Sequence, residues 1–186
     1  MARQSQSTLD RSNPDQATVE LFVDWTSDGK PFYEAVPVDV LGGDCYRVLA
    51  SPGLLDGLAA GDVFERRPDG ALEVIERSGN LAVQIWYPDE DLGARVEAEL
   101  LPGAQALGGW LDGRTKGGAV LTFPLHAGFP RIERLLDGWV ASAPAAQWSY
   151  ANVYDADGWT PLRWWEAGRF RDQLAAAADK ASRSES

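Results

Sequence analysis

From residue 18 to residue 87 the apolar positions alternate instead of recurring every three or four residues. Val19, Leu21, Val23 and Trp25 alternate with polar or smaller neighbours, the period of a half-buried strand. Ser27-Asp28-Gly29-Lys30-Pro31 then supplies a turn, because Gly accepts positive φ and Pro presets its own. Val36, Val38 and Val40 alternate next, and Gly42-Gly43-Asp44 leads the chain into Tyr46, Val48 and Ala50. Residues 51–61 read as a loop around Leu54, Leu55 and Leu58, and Pro68-Asp69-Gly70 joins strands at 62–67 and 72–77 as a hairpin. Short strands at this spacing predict a small bent sheet or partial barrel.

After Ser78-Gly79-Asn80 the rhythm changes. Leu81, Val83, Ile85 and Tyr87 form one more strand, and Pro88-Asp89-Glu90-Asp91 opens a helix with carboxylates where the helix dipole favours them. Leu92, Val96 and Leu100 mark its buried stripe, and Pro102-Gly103 is the expected stop. Residues 105–111 and 118–124 are two expected strands around a turn at 112–117. From Pro130 onward, Ile132, Leu135, Leu136, Trp139 and Val140 follow helical spacing, and Trp148 to Tyr154 returns to a strand. The resulting order, β-α-β-β-α-β over 81–154, is that of a ferredoxin-like sheet with helices on one face. The predicted class is therefore α+β: a polar tail at 1–17, a β-rich lobe at 18–80, the ferredoxin-like lobe at 81–154, and a tryptophan-rich segment at 155–186. A last helix is expected from about Pro161 to Ala178.

Two short motifs carry a family resemblance. Leu58-Ala59-Ala60-Gly61-Asp62-Val63-Phe64 and Glu76-Arg77-Ser78-Gly79-Asn80-Leu81-Ala82-Val83 resemble the domain of unknown function 4265 family of bacterial proteins. The resemblance spans residues 18–154 and departs from the family pattern at Asn80, where His is expected, and in the tryptophan-rich tail. It implies the architecture, with a Gly-Asp-Val loop before a hairpin and a Ser-Gly turn, and it implies no activity and no functional residues.

Composition narrows the setting. Across 186 residues, 45% are hydrophobic and 24% charged, as in ordinary globular proteins. No apolar run approaches the roughly 20 residues that span a bilayer. The polar start lacks a secretory pattern, and the single cysteine, Cys45, excludes an internal disulfide framework. The expected location is the cytoplasm. Residues 1–100 hold 19 Asp and Glu against 8 Lys and Arg, whereas residues 101–186 hold 9 of each. Such a first half repels phosphate backbones and favours a basic macromolecule, so nucleic acid is not an expected partner.

Chemistry-bearing residues are sparse. His126, the only histidine, has no Ser or Cys in a nucleophile-elbow context to activate. Cys45 lies between Asp44 and Tyr46 and reads as a strand-edge cysteine. One Cys and one His cannot build a zinc site, and Gly113-Arg114-Thr115-Lys116-Gly117-Gly118 lacks Walker spacing and reads as a hairpin tip. No catalytic, cofactor or metal residues are assigned. Asp24, Asp28, Asp39 and Asp44 flank neighbouring turns, where they would gather at one end of the sheet to bind a hard cation or face a basic partner, or simply solvate the turns. Among eight tryptophans, Trp159, Trp164 and Trp165 lie beyond the expected sheet, where they either pack the last helix or meet a partner.

Two functions from different classes fit this pattern. One is a non-catalytic protein-binding module, in its sharpest form an immunity protein that neutralises a bacterial toxin. The other is a small-molecule-binding regulatory domain, its pocket in the crevice between the two lobes. A homodimer through an exposed sheet edge is a further expectation.

Overall fold

The strand pattern of the first half becomes a five-stranded antiparallel meander. A computed structural model describes residues 16–155, 157–168 and 170–175. Of the tail expected at 1–17, residues 1–15 lie outside the described residues and residues 16 and 17 are already strand. The helix expected from Pro161 does not begin there: Pro161 makes an isolated bridge, Trp164–Glu166 is a 3-10 turn, helix starts at residue 168, and residues 176–178 lie outside the described residues. Strands β1 (Gln16–Trp25), β2 (Pro31–Gly42), β3 (Cys45–Val48), β4 (Val63–Arg66) and β5 (Leu72–Glu76) pair in chain order. Alternation turns Val19, Leu21, Val36, Val38, Val48 and Phe64 to one face, where Leu55 and Leu58 of the following loop cover them. The sheet does not close into a barrel, and β1 and β5 are its edges.

The second sheet contains β6 (Asn80–Trp86), β7 (Trp110–Arg114), β8 (Gly118–Pro124) and β9 (Gln147–Tyr150), in the order β7-β8-β6-β9. All three pairings are antiparallel. Helices α1 (Glu90–Arg95), α2 (Leu101–Ala106) and α3 (Phe129–Ser142) cover one face. There Leu81, Val83, Ile85, Leu121 and Phe123 meet Val96, Leu100, Ile132, Leu136 and Trp139 in the main core. Each fully buried large side chain of this set contributes about 1.5–3 kcal/mol over its exposed state. Asp89 caps α1 by accepting a hydrogen bond from the Leu92 N–H at 2.9 Å, as its position before the helix requires.

Several expected boundaries are corrected. The first helical stretch does not stop at Pro102 but runs through α2 to Ala106. A wide π turn over Val96–Leu100, closed by the Leu101 N–H on the Val96 carbonyl, precedes the proline. Pro102 then falls in the first turn of α2, where its missing donor costs little. The following strand accordingly starts at Trp110, not at 105, and continues through Asp112 to Arg114, so the turn shrinks to 115–117. The strand expected at 148–154 ends at Tyr150; beyond it, Tyr154 makes only an isolated bridge with Pro161.

The face of the second sheet opposite the helices meets the 49–61 loop and the first sheet. Ala59 packs on Ala82 and Ala151, small side chains that bring the backbones close. The Gly57 N–H donates to the Ala151 carbonyl at 2.7 Å. Beyond this contact the surfaces diverge and leave a cleft.

Candidate ligand-binding cleft

The cleft is organised by one displaced residue. In the β7–β8 pair, Leu111 opposes Leu121 but Gly113 opposes Val120, so Asp112 is an extra, unpaired residue on β7. A bulge on an edge strand re-aims a side chain, and here it turns a carboxylate toward the helix-free side. Thr122 of β8 donates to Asp112 Oδ2 at 2.5 Å, and the Trp110 indole N–H donates to Oδ1 at 3.0 Å. Ser51, from the loop after the first sheet, lies 2.5 Å from Thr122 Oγ1, and its own Oγ accepts from the Ala60 N–H at 2.9 Å. Because the Thr122 proton goes to Asp112, the Ser51 hydroxyl is the donor to Thr122. The result is one directed chain from the Ala60 amide through Ser51 and Thr122 to Asp112. Burial pushes the Asp112 carboxyl up to about 6, against the pull of the Thr122, Trp110 and Ser51 hydrogen bonds.

The opposite wall comes from β2. Glu34 reaches the loop, and its carboxylate accepts from three successive amides: Gly53 at 2.6 Å, Leu54 at 2.9 Å and Leu55 at 2.9 Å. This grip satisfies the charge and pins the loop. Between the walls lies a cleft of about 550 Å³, with Trp86, Leu54, Pro37 and Val120 among its lining side chains. That volume is in the range of sites for drug-sized ligands, and a mostly apolar wall with a few converging polar groups is their usual make-up. Arg114 also borders the cleft, but its guanidinium points to the helix side. There its Nε donates to Glu97 at 2.8 Å, and it lies against Gly93 beside Tyr87.

The residues that carry the family resemblance form a separate, structural knot. Asp62 is fully buried and accepts from the Ala59 and Ser78 N–H groups, the Ser78 hydroxyl and Arg77. Burial raises its carboxyl, opposed by those hydrogen bonds and the Arg77 charge. Gly61 has φ +87°, and a Cβ there would lie 2.8 Å from Ser78 Cβ, so only glycine fits. Asn80 donates its side-chain amide to the Ala60 carbonyl at 2.7 Å. The knot ties β4 to the start of β6 and so fixes the loop that carries Ser51.

The sequence-predicted site residues are scattered. Asp24 and Asp28 flank the β1–β2 turn, whereas Asp39 and Asp44 sit at the far end of the twelve-residue β2. The four aspartates therefore do not gather at one end of the sheet. Asp28 pairs with Lys30 at 2.6 Å and Asp44 with Arg66 at 3.5 Å. Asp24 accepts from the Trp25 N–H, and Asp39 Oδ1 is buried with no hydrogen-bond partner among the described residues. Trp164 and Trp165 pack: Trp164 donates to the Asn152 carbonyl at 2.7 Å beside Phe170, and Trp165 meets Phe129. Trp159 is 85% exposed. His126 is exposed on the single 3-10 turn after β8, and Cys45 is half-buried at the start of β3. Among the described residues, no three His, Cys, Asp or Glu side chains converge on a metal-sized site.

Asp112 escapes a reading of the sequence because Asp-Gly looks like the opening of a turn. Two signals point to it all the same: Thr122 is the one polar residue in Ala119–Phe123, and Trp110 and Asp112 share the two-residue spacing of a strand face.

Two antiparallel sheets, one backed by helices, define a mixed helix-and-strand protein, and residues 34–148 match the family model described as domain of unknown function (DUF4265). The chain belongs to that family. The match spans both sheets. The fold is also similar to a solved structure described as a hypothetical protein from Neisseria gonorrhoeae, with a TM-score of 0.53 and 17% identity over 74% of this chain and 93% of that one. No curated protein matches the chain.

Proposed function

We propose that this protein binds a small amphipathic molecule in the cleft between its two sheets. The observation that carries the reading is Asp112, turned by a bulge into a largely apolar cleft and held there by hydrogen bonds that run from Ser51 of the 49–61 loop through Thr122 of β8. An edge-strand bulge that aims a carboxylate into an open cleft contributes little to stability, and burial of its charge opposes folding. Recognition is the role such a group serves best. The β7-β8-β6-β9 order, with helical connections after β6 and after β8, supports a ferredoxin-like assignment of the second sheet. In that arrangement one face stays free of helices for a second layer or a ligand. The expected setting is the cytoplasm.

A thermal-shift screen of a chemically mixed small-molecule library tests this reading, with Gly53→Leu as the control. Gly53 has ordinary backbone torsion, and its added side chain would enter the cleft between Glu34 and Val120. Compounds that stabilise the parent and not the variant are expected. A library with no such compound would count against the cleft.

A second reading, protein recognition, is favoured by the β1–β2 hairpin. Phe22, Trp25, Phe32 and Tyr33 are exposed there, and Phe22 stacks edge-on with both Trp25 and Tyr33. Exposed aromatics beside Asp24 suit a basic protein surface, and a toxin neutralised by this chain is the sharpest form of that reading. Such binding would be lost on Trp25→Ala and kept in Gly53→Leu.

A further inference from the structure

We infer that the ligand of this cleft is an organic amine, its ammonium group taken by Asp112 and its apolar body laid against Trp86, Leu54 and Val120. This rests on the cleft being a binding site. Among the described residues that line it, the charged side chains turned into the cleft are the two acids, Glu34 and Asp112. Glu34 has its charge met by three amides, which leaves Asp112 as the reactive charge. The nearest cations are turned elsewhere: the Arg114 guanidinium is on the helix side with Glu97, and Lys116, at the tip of the β7–β8 turn, lies 3.8 Å from Glu90.

Donor arithmetic gives the same answer. An ionised carboxylate has about four acceptor positions. The Trp110 indole N–H and the Thr122 hydroxyl each take one, on Oδ1 and Oδ2 respectively, and the cleft is where a further donor enters. That donor arrives next to a carboxylate whose charge burial has made costly, so a cation gains more than a neutral donor and an anion is repelled. Trp86, 40% exposed on the cleft wall, offers an aromatic face, which attracts ammonium groups.

Three probes of matched size test the inference by calorimetric titration of the full chain: 2-phenylethylamine, 2-phenylethanol and 3-phenylpropanoate. The amine is expected to bind about tenfold tighter than the alcohol, the ratio of one charge-assisted hydrogen bond, and the acid to bind not at all. Asp112→Asn should shrink the amine's advantage to about threefold or less while the alcohol still binds. Gly53→Leu should abolish binding of both. Alcohol or acid binding as tight as the amine, or an advantage unchanged in Asp112→Asn, overturns the amine assignment and leaves the cleft standing. Binding of the amine that survives Gly53→Leu in a normally melting variant overturns both, as does the absence of binding by all three probes.

Discussion

The Ser51 and Thr122 hydroxyls, 71 positions apart in sequence, lie 2.5 Å from each other where the two sheets meet. Their order of donation depends on Asp112. With the carboxylate ionised, every proton in the chain has an acceptor. With Asp112 protonated, the chain can reverse, and the Ser51 proton then loses its acceptor among these groups. The 49–61 loop is thus joined to the second sheet through a carboxyl that burial pushes up to about 6.

The first expectation concerns pH. The Asp112 carboxyl rises from 3.8 to about 6 on folding, so between those values the folded chain holds a proton that the unfolded chain has lost. Stability from this group is intact at low pH, falls across the interval and stays lower above it. Asp112→Asn does not titrate, so its stability relative to the parent should improve by about 2 kcal/mol between about pH 4 and pH 7.5. Urea unfolding at several pH values checks this; a difference that does not vary with pH would contradict it. Amine binding should strengthen over the same interval, as the carboxylate ionises.

Glu34 fixes the opposite wall. Glu34→Ala would leave the Gly53, Leu54 and Leu55 amides without their acceptor. Because water reaches part of this site, the cost should be modest, about 1–3 kcal/mol. Hydrogen exchange should accelerate at residues 53–55 and remain slow in β6. Unchanged exchange at those three amides would show that the loop is held by its apolar contacts instead.

The buried Asp62 knot should be far less tolerant. Asp62→Ala removes the acceptor for two backbone amides, the Ser78 hydroxyl and Arg77 at once. Breaking a buried ion pair from one side costs about 3–5 kcal/mol. Chemical denaturation should report a loss of that size. A loss smaller than that of Glu34→Ala would mean that the knot matters less to folding than the cleft wall does.

Gly109 stands at the entry to β7. A Cβ there would lie 2.7 Å from Phe123 Cδ1 and 2.9 Å from the Thr122 carbonyl oxygen, and neither a buried ring nor a backbone carbonyl can yield easily. Gly109→Ala should cost about 1–3 kcal/mol and, by shifting β7, weaken ligand binding as well as folding. Normal affinity in the variant would separate β7 position from the site.

Much of this architecture can be read from the chain. Alternation marks β1 to β6, the spacing from Ile132 to Val140 marks α3, and the Gly-Asp-Val and Ser-Gly stretches carry the family resemblance. Pro102 misleads because a proline read locally ends a helix, whereas a wide turn before it lets the helix continue. Asp112 misleads for a related reason: Asp-Gly is a turn signal, and only pairing with β8 makes it a bulge. The cleft itself depends on Glu34, Ser51 and Asp112 meeting from three separated segments, and no local pattern encodes that meeting. The aspartates at 24, 28, 39 and 44 show the converse, being close in sequence rhythm yet placed at opposite ends of β2.

The most direct measurement is an NMR titration of the isotope-labelled chain with 2-phenylethylamine. The expected result is saturable movement of the Ser51, Gly53 and Gly113 amides and of the Trp86 indole N–H, with the Phe22 and Trp25 resonances still. Movement confined to the β1–β2 hairpin, or none near Asp112, would contradict a ligand site between the sheets.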